Sequence, residues 1–187
     1  MTSMVEIRWH GRGGQGAKTA SKLLALAQMA GGLWVQAFPE YGPERSGAPM
    51  VAYNRADTAV IRRHDQVRHP VLVVVLDASL WNEVNPLAGL PPGGRVLVNT
   101  AAALSGARDA ARVTAVPGDR LAQAAGTRFA NVVMVGAALA ALGQGDEEAL
   151  AQAVQSLFAR MGETTVLSNA RAARAGYRFV RAKEAAS

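Results

Sequence analysis

The chain has 187 residues, 50% of them hydrophobic, and its 20 Lys and Arg outnumber its 14 Asp and Glu, which gives a formal net charge of +6. It has no cysteine, which excludes disulfides, thiolate zinc sites, a cysteine nucleophile and an iron–sulfur cluster bound by this chain alone. The N-terminus has no signal-peptide pattern, the apolar run VLVVVL is too short to span a bilayer, and no aromatic residues interleave with the arginines to stack nucleobases. We therefore expect a single cytoplasmic domain, residues 1–187, with neither membrane nor nucleic acid as its partner.

Apolar runs alternate with helical patterns along the chain. We predict a strand at 5–9, a helix at 17–30, strands at 33–38 and 50–55, a returning hairpin arm at 58–62, and strands at 71–76, 95–98 and 112–116. Further helices are predicted at 121–125, 131–142, 147–161 and 167–183. This alternation predicts an α/β fold, specifically a Rossmann-like three-layer sandwich around a mostly parallel sheet with an antiparallel hairpin.

The helix that starts at Asn131 is apolar on nearly every side. Such a helix is buried all round, so we expect it between the sheet and a second element, which belongs either to this chain or to a partner. The next helix follows Asp146, which we predict to be its N-cap.

The stretch HGRGGQGAKT joins the first predicted strand to the first predicted helix, and four of its ten residues are Gly. Gly11, Gly13 and Gly16 match the pattern G-x-G-x-x-G, whose glycines let the backbone approach a phosphate at a helix N-terminus. An NAD site also needs an acidic residue at the end of the second strand. That strand reads LWVQAF, and the nearest acidic residue, Glu40, lies beyond it, which weakens the NAD interpretation.

The same loop also departs from an ATP-binding P-loop. Gly11 and Gly16 have the G-x-x-x-x-G spacing, but Lys18 and Thr19 each come one place late. A shift of one residue turns a side chain by about 100° around a helix. The loop is therefore interpreted as a more general anion cradle for a phosphate-bearing ligand, and a tight turn without a ligand is the alternative.

A second loop, PEYGPERSGAP, has three prolines and two glycines in eleven residues, so it is not a regular element. Its stiffness favours a place where side chains are held for a ligand or a partner. The charged and aromatic side chains in question are Glu40, Tyr41, Glu44 and Arg45. A stiff connector with solvated charges is the alternative.

The two loops together, GRGGQG and then FPEYGPERSGAP leading into VAYNR, resemble the gamma subunits of the pyruvate and 2-ketoisovalerate ferredoxin oxidoreductases. The strand VLVVVLD and the helix FANVVMVGAALA, with Asn131 and Gly136 in an N-x-x-x-x-G pattern, extend the resemblance over most of the chain. In that family a 2-oxoacid is decarboxylated on thiamine diphosphate, two electrons leave singly through iron–sulfur clusters to ferredoxin, and the acyl group passes to coenzyme A.

The resemblance implies a subunit that is inactive alone, caps the active site and helps to bind coenzyme A. It also implies that thiamine diphosphate, its Mg and the [4Fe-4S] clusters are held by alpha, beta and delta-type partner subunits. The phosphates of coenzyme A are then expected at Gly11, Arg12, Gly13, Gly14, Gln15, Gly16 and Lys18, with Arg12 and Lys18 as counter-charges. The cap or subunit interface is expected to comprise Glu40, Tyr41, Gly42, Pro43, Glu44, Arg45, Gly47 and Asn131.

The stretch GPERSGAP resembles the pyruvate and branched-chain form more than the 2-oxoglutarate form. The small subunit of indolepyruvate oxidoreductase is similar too. A stand-alone nucleotide- or NAD(P)-binding Rossmann protein, and a structural subunit that binds no small molecule, are the alternatives from other classes. No residue of this chain is assigned as a catalytic acid, base or nucleophile.

Single residues near the glycine loop have two interpretations each. His10 precedes the loop and could contact a phosphate when protonated. Asp77 ends a predicted buried strand, where α/β sheets bind ligands, but it could equally cap the turn that starts at Ala78. His10, His64 and His69 lack the spacing of metal ligands, so no metal site is predicted.

Overall fold

The computed structural model describes residues 4–40, 47–102 and 112–186. The strands found there are β1 (Val5–Arg12), β2 (Trp34–Pro39), β3 (Pro49–Asp57), β4 (Leu72–Val75), β5 (Arg95–Asn99) and β6 (Val113–Val116). The α-helices are α1 (Ala17–Ala30), α2 (Gly118–Ala124), α3 (Ala130–Leu142), α4 (Glu147–Phe158) and α5 (Glu163–Ala185). Short 3-10 helices span Ala78–Asn82 and Ala159–Met161.

The strands form one sheet in the order β2-β3-β1-β4-β5-β6. β1, β4, β5 and β6 run parallel to one another, and β3 is antiparallel to both of its neighbours, β1 and β2. The predicted α/β fold with a mostly parallel sheet and an antiparallel hairpin is confirmed. The order departs from a dinucleotide-binding sheet, in which the second strand lies beside the first, because β3 separates β2 from β1.

The hairpin is not the one predicted from the sequence. We expected residues 58–62 to return against 50–55, but they form no strand, and β3 instead pairs with β2 and β1. The carboxylate of Asp57 accepts hydrogen bonds from the backbone N–H of Ala59 and the hydroxyl of Thr58. This local turn leads the chain out of the sheet, as short acidic side chains often do.

The two faces of the sheet are covered differently. The face that carries Ile7, Trp9, Leu72, Val74 and Leu97 belongs to one apolar core, to which all five α-helices contribute residues. The alternate residues of β4 and β5 face the other side, where they pack against the 3-10 helix Ala78–Asn82 and the segment that follows it. β4 is therefore buried on both faces, which explains its uninterrupted run of β-branched residues.

Helix α3 is the centre of the helical layer. Its residues from Asn131 to Ala141 are all buried, and it packs against the sheet, α1 and α5. Its apolar surface is thus covered by helices of this chain rather than by a partner. Asp146 accepts a hydrogen bond from the N–H of Ala149 at 2.9 Å, which confirms it as the N-cap of α4.

No helix in the described part of the chain combines the length and the apolar character that a bilayer crossing requires.

Candidate functional site

The glycine loop connects the end of β1 to the start of α1 and is fastened on both sides. The N–H of Gly13 donates to the carbonyl of Ala48 at 2.9 Å, so the loop continues the pairing of β1 with β3. Gly14 and Gly16 have φ angles of 94° and 79°, a left-handed conformation that favours glycine. Nothing lies within 4 Å of the position that a Cβ of Gly14 would occupy, so the backbone is open to a ligand there.

Gly16 also allows α3 to approach the loop. The side-chain amide of Asn131 donates to the Gly16 carbonyl at 3.2 Å, and a Cβ on Gly16 would lie only 2.5 Å from that amide nitrogen. The N-termini of α1 and α3 therefore meet at this point. Because helix N-termini carry partial positive charge and free N–H groups, their meeting favours an anion.

A cavity of about 300 Å³ opens between the loop and α3, at the carboxyl ends of β4 and β5. This is the usual place for a ligand in a parallel α/β sheet. It is lined by Gly14, Gln15, Leu76, Asn99, Asp119, Arg128, Phe129, Ala130 and Asn131. Its volume is at the lower end of the range for ligand pockets and is suited to part of a large ligand.

The cationic and the acidic side chains of the cavity lining lie at different parts of it. Arg128 is exposed at the N-terminus of α3, with its guanidinium 5.5 Å from the ring centre of Phe129. No side chain caps α3, and its first turn has no acidic residue. On another part of the lining, the amide of Asn99 donates to the carboxylate of Asp119 at 3.0 Å and to the carbonyl of Leu76 at 3.1 Å. The α3 side is therefore the one that suits an anion.

Arg12 is held by side chains of this chain. Its guanidinium pairs with Glu83 at 2.5 Å and with Asp77 at 3.4 Å, and it donates to the Ser79 hydroxyl at 2.8 Å and to the Gly47 carbonyl at 3.3 Å. Hydrogen bonding with Glu83 is the main reason why the pKa of Arg12 is raised. The predicted counter-charge is thus already occupied by two carboxylates.

Asp77 has the capping role that the sequence left open. It accepts hydrogen bonds from the backbone N–H of Ser79 at 2.9 Å and from the side chain of Gln15 at 2.7 Å. Partial burial opposes its ionisation, but these hydrogen bonds and the charge of Arg12 outweigh burial and keep the pKa of Asp77 below its usual value. Gln15 also accepts from the N–H of Arg12, so one side chain ties the loop to the 3-10 helix.

The chain matches one protein family over most of its length. Residues 6–179 fit the family described as pyruvate ferredoxin/flavodoxin oxidoreductase. The chain belongs to this family. Together with the individual relatives, this match confirms the predicted resemblance to the gamma subunits of pyruvate/2-oxoacid ferredoxin oxidoreductases.

Individual relatives agree with this assignment. The common gamma subunit of the pyruvate/ketoisovalerate oxidoreductases of Pyrococcus furiosus is 39% identical over 181 residues, which cover 93% of this chain and 96% of that relative. The corresponding subunit of Thermococcus litoralis is 55% identical over 97 residues, so that match spans about half of both chains, 52% of each. The crystal structure of the PORC subunit of pyruvate oxidoreductase from Thermotoga maritima is similar with a TM-score of 0.78 and 36% identity, covering 95% of this chain and 97% of that one.

Within this family member, those predicted site residues that the structure describes have different surroundings. Lys18 is exposed on the first turn of α1, and Asn131 lies in the cavity wall, where it contacts Gly16. Glu40 accepts hydrogen bonds from Tyr53 and Gln66, and in the described residues it makes no hydrogen bond to the glycine loop. Gly47 contacts Arg12 and Gly13. Tyr41, Gly42, Pro43, Glu44 and Arg45 lie outside the described residues.

His10 does not have the predicted role of a protonated phosphate ligand. Only 7% of its surface is exposed, and its Nε2 accepts a hydrogen bond from Arg8 at 3.0 Å, which requires an unprotonated nitrogen. Burial first, and then the charge of Arg8, lowers the pKa of His10 to about 4. The imidazole is therefore neutral at physiological pH and serves the fold. In the described residues no group of three His, Cys, Asp or Glu side chains is arranged to hold a metal ion.

The lowered pKa predicts a specific pH dependence of stability. Between an unfolded pKa of about 6.5 and the folded value of about 4, the unfolded chain binds a proton that the folded chain does not, so stability falls as pH falls through this range. When the pH falls from 7.5 to 5, we expect the free energy of unfolding of the His10→Gln variant to decrease by about 2 kcal/mol less than that of the wild type. Urea denaturation of both proteins at the two pH values measures this, and parallel pH profiles would contradict it.

Sequence reasoning missed six residues of the cavity wall, which are Leu76, Asn99, Asp119, Arg128, Phe129 and Ala130. Asn99 ends β5, and Asp119 follows β6 by three residues. The position of these polar residues after predicted parallel strands was the available signal. Arg128 and Phe129 precede the helix of the N-x-x-x-x-G pattern, so their place at a helix N-terminus could also have been inferred.

Proposed function

We propose that this chain is the gamma subunit of a thiamine diphosphate-dependent oxidoreductase complex that acts on pyruvate or a branched-chain 2-oxoacid. The complex converts the 2-oxoacid and coenzyme A to acyl-coenzyme A and CO2, and two electrons pass to ferredoxin. The gamma chain, inactive alone, caps the active site and binds the phosphate end of coenzyme A. The names of the gamma subunits that it resembles support the reaction class.

The cavity beside the glycine loop is the observation that carries the coenzyme A proposal. Two helix N-termini, the open backbone at Gly14 and the exposed guanidinium of Arg128 all border it. These groups favour a phosphate or diphosphate. The cavity is too small for a whole coenzyme A molecule, so the pantetheine arm would extend toward the partner subunits, where the acyl group is made.

The structure changes which cation is expected to matter most. The sequence favoured Arg12 and Lys18, but Arg12 pairs with Asp77 and Glu83. Arg128 forms no ion pair in the described part of the chain and lines the cavity directly. We therefore assign Arg128 as the main counter-charge for the coenzyme's phosphates.

NAD binding by a stand-alone Rossmann protein is less well supported. In NAD-binding Rossmann proteins, the acidic residue that binds the ribose stands at the end of the second strand, and that strand lies beside the strand that leads into the glycine loop. Here β3 lies between β1 and β2, and Glu40, just beyond β2, is engaged by Tyr53 and Gln66.

Replacement of Arg128 by alanine tests the proposed site. In the complex assembled with its thiamine- and cluster-bearing subunits, we expect the apparent KM for coenzyme A to rise about tenfold, because a charge-assisted contact contributes about 1.5 kcal/mol. The apparent KM for the 2-oxoacid should not change. Steady-state rates with reduced ferredoxin or a dye as readout give both constants.

Arg160→Ala is the matched control, because Arg160 is also an exposed arginine but lies in the 3-10 helix after α4. It should leave both constants unchanged. An unchanged KM for coenzyme A in the Arg128→Ala complex would remove the cavity from the coenzyme site. Failure of the chain to assemble with thiamine- and cluster-bearing subunits would contradict the subunit assignment itself.

A further inference from the structure

Glu83 occupies the position on Arg12 that a phosphate would take. Its two carboxylate oxygens lie 2.5 Å and 3.5 Å from the terminal nitrogens of Arg12, in the two-point geometry that guanidinium groups make with carboxylates and phosphates alike. The remaining donors of this guanidinium are directed at Ser79 and Gly47. Without movement of Glu83, Arg12 has little capacity left for a second anion.

The two carboxylates around Arg12 differ in how firmly they are held. Asp77 is fixed by the N–H of Ser79 and the side chain of Gln15, and 23% of its side chain is exposed. Glu83 follows the 3-10 helix, is hydrogen-bonded through its carboxylate to Arg12 alone in the described residues, and is 46% exposed. Glu83 can therefore swing away into solvent, whereas Asp77 stays with the loop.

The local charge makes this difference relevant to anion binding. Among the described residues, one guanidinium faces two carboxylates here, so Arg12, Asp77 and Glu83 together carry a net negative charge while Glu83 is in place. An anion that approaches the loop is repelled by that carboxylate. Once Glu83 has left, Arg12 and Asp77 neutralise each other, and the guanidinium has two donors to offer.

We propose that Glu83 is a built-in competitor that holds Arg12 away from anionic ligands and must be displaced before Arg12 contacts the phosphates of coenzyme A. This inference rests on the proposed function. In this proposal Arg128 is always available to an anion, whereas Arg12 becomes available only when its exposed ion pair with Glu83 breaks. Exposed pairs of this kind are weak, so a multiply charged ligand can displace the carboxylate.

The test is the Glu83→Gln variant in the assembled complex, with coenzyme A as the probe. The amide keeps the size of the side chain but removes its charge, so the apparent KM for coenzyme A should fall about two- to fivefold, the range that corresponds to one exposed ion pair. The fall should be absent in the Arg12→Ala background, in which no guanidinium is left to release. Arg12→Ala alone should raise the KM.

Glu184→Gln is the matched control. Glu184 is also a partly exposed carboxylate, paired with Arg95 at 2.6 Å, but Arg95 starts β5 and so lies at the opposite end of the parallel strands. This variant should leave the KM for coenzyme A unchanged. Thermal melting of each chain verifies that the variants are folded.

Two results would overturn the inference, and they differ from failure of the proposed site. An unchanged or raised KM in Glu83→Gln, with Arg12→Ala still harmful, would mean that Glu83 orients Arg12 rather than competes for it. A harmless Arg12→Ala together with a harmful Arg128→Ala would leave the coenzyme site intact without Arg12. If neither arginine matters, it is the proposed site that fails.

Discussion

Arg55→Met is expected to destabilise the chain by about 3 to 5 kcal/mol, because it leaves the buried carboxylate of Glu6 without its counter-charge. The side chain of Arg55 is fully buried. It pairs with Glu6 at 2.8 Å and donates to the backbone carbonyl of Asp65 at 2.5 Å, and its guanidinium carbon lies 5.3 Å from the ring centre of Phe38. A single side chain thus joins β1, β2, β3 and the segment that follows β3.

A double replacement separates the cost of the orphaned charge from the value of the pair. Adding Glu6→Leu to Arg55→Met should restore more than half of the free energy of unfolding that Arg55→Met removes, because a buried ion pair can often be replaced by apolar residues at little cost in stability. Urea denaturation of the four proteins of this cycle gives the coupling free energy. Additive losses would mean that Arg55 acts mainly through its hydrogen bond to Asp65.

Arg63→Met is the control for this cycle. Arg63 also forms an ion pair, with Asp65 at 2.5 Å, but both side chains are more than half exposed. We expect its removal to cost much less stability than Arg55→Met, because solvent screens an exposed ion pair. A loss equal to that of Arg55→Met would show that the segment after β3, rather than burial of the charge, sets the energetics.

The helices and the buried parallel strands could be predicted from the sequence because their signals are local. Helix α1 has the predicted limits, since a glycine loop precedes it and Gly31 and Gly32 follow it. The error at residues 58–62 arose because an apolar, β-branched segment is ambiguous when its pairing partners are distant. The partners of Arg55 show the same limit, because Glu6 lies 49 positions away in the sequence.

The site was only half predictable for the same reason. The glycine loop could be predicted from the spacing of its glycines. Its cavity, however, is completed by α3, and Asn131 of that helix lies 115 positions from Gly16 in the sequence. Arg12, which the sequence predicts to be a counter-charge, pairs with Glu83, 71 positions away, so its contact with a ligand stays a prediction. A charged side chain in a motif indicates a function only when its surroundings are known.

The crossing of α3 and α5 carries the second large prediction. Gly136 and Gly176 each lie against the backbone of the opposite helix: a Cβ at 136 would be 1.8 Å from the carbonyl oxygen of Ala173, and one at 176 would be 1.9 Å from that of Val133. Backbone atoms inside a helix do not yield as a flexible side chain does. Gly136→Ala and Gly176→Ala should therefore each cost about 3 kcal/mol or more, at the upper end for overpacking.

The identity of the obstructing atoms gives this prediction a sharp control. Because the obstacle to Gly136→Ala is the carbonyl of Ala173 and not its methyl group, the additional change Ala173→Gly should not restore stability in urea denaturation. Gly31→Ala, where the nearest atom would be 3.3 Å away and φ is −80°, should cost no more than about 1 kcal/mol. Rescue by Ala173→Gly would mean that side chains limit the helix contact.

The same crossing has a consequence for the site. Helix α3 brings Asn131 to the glycine loop and presents Arg128 at the cavity, so its position depends on how closely α5 lets it pack. In assembled complexes that still form, Gly176→Ala should raise the KM for coenzyme A although Gly176 lies on α5, remote from the ligand. A destabilised chain with an unchanged KM would show that the N-terminus of α3 is fixed by the loop and the sheet alone.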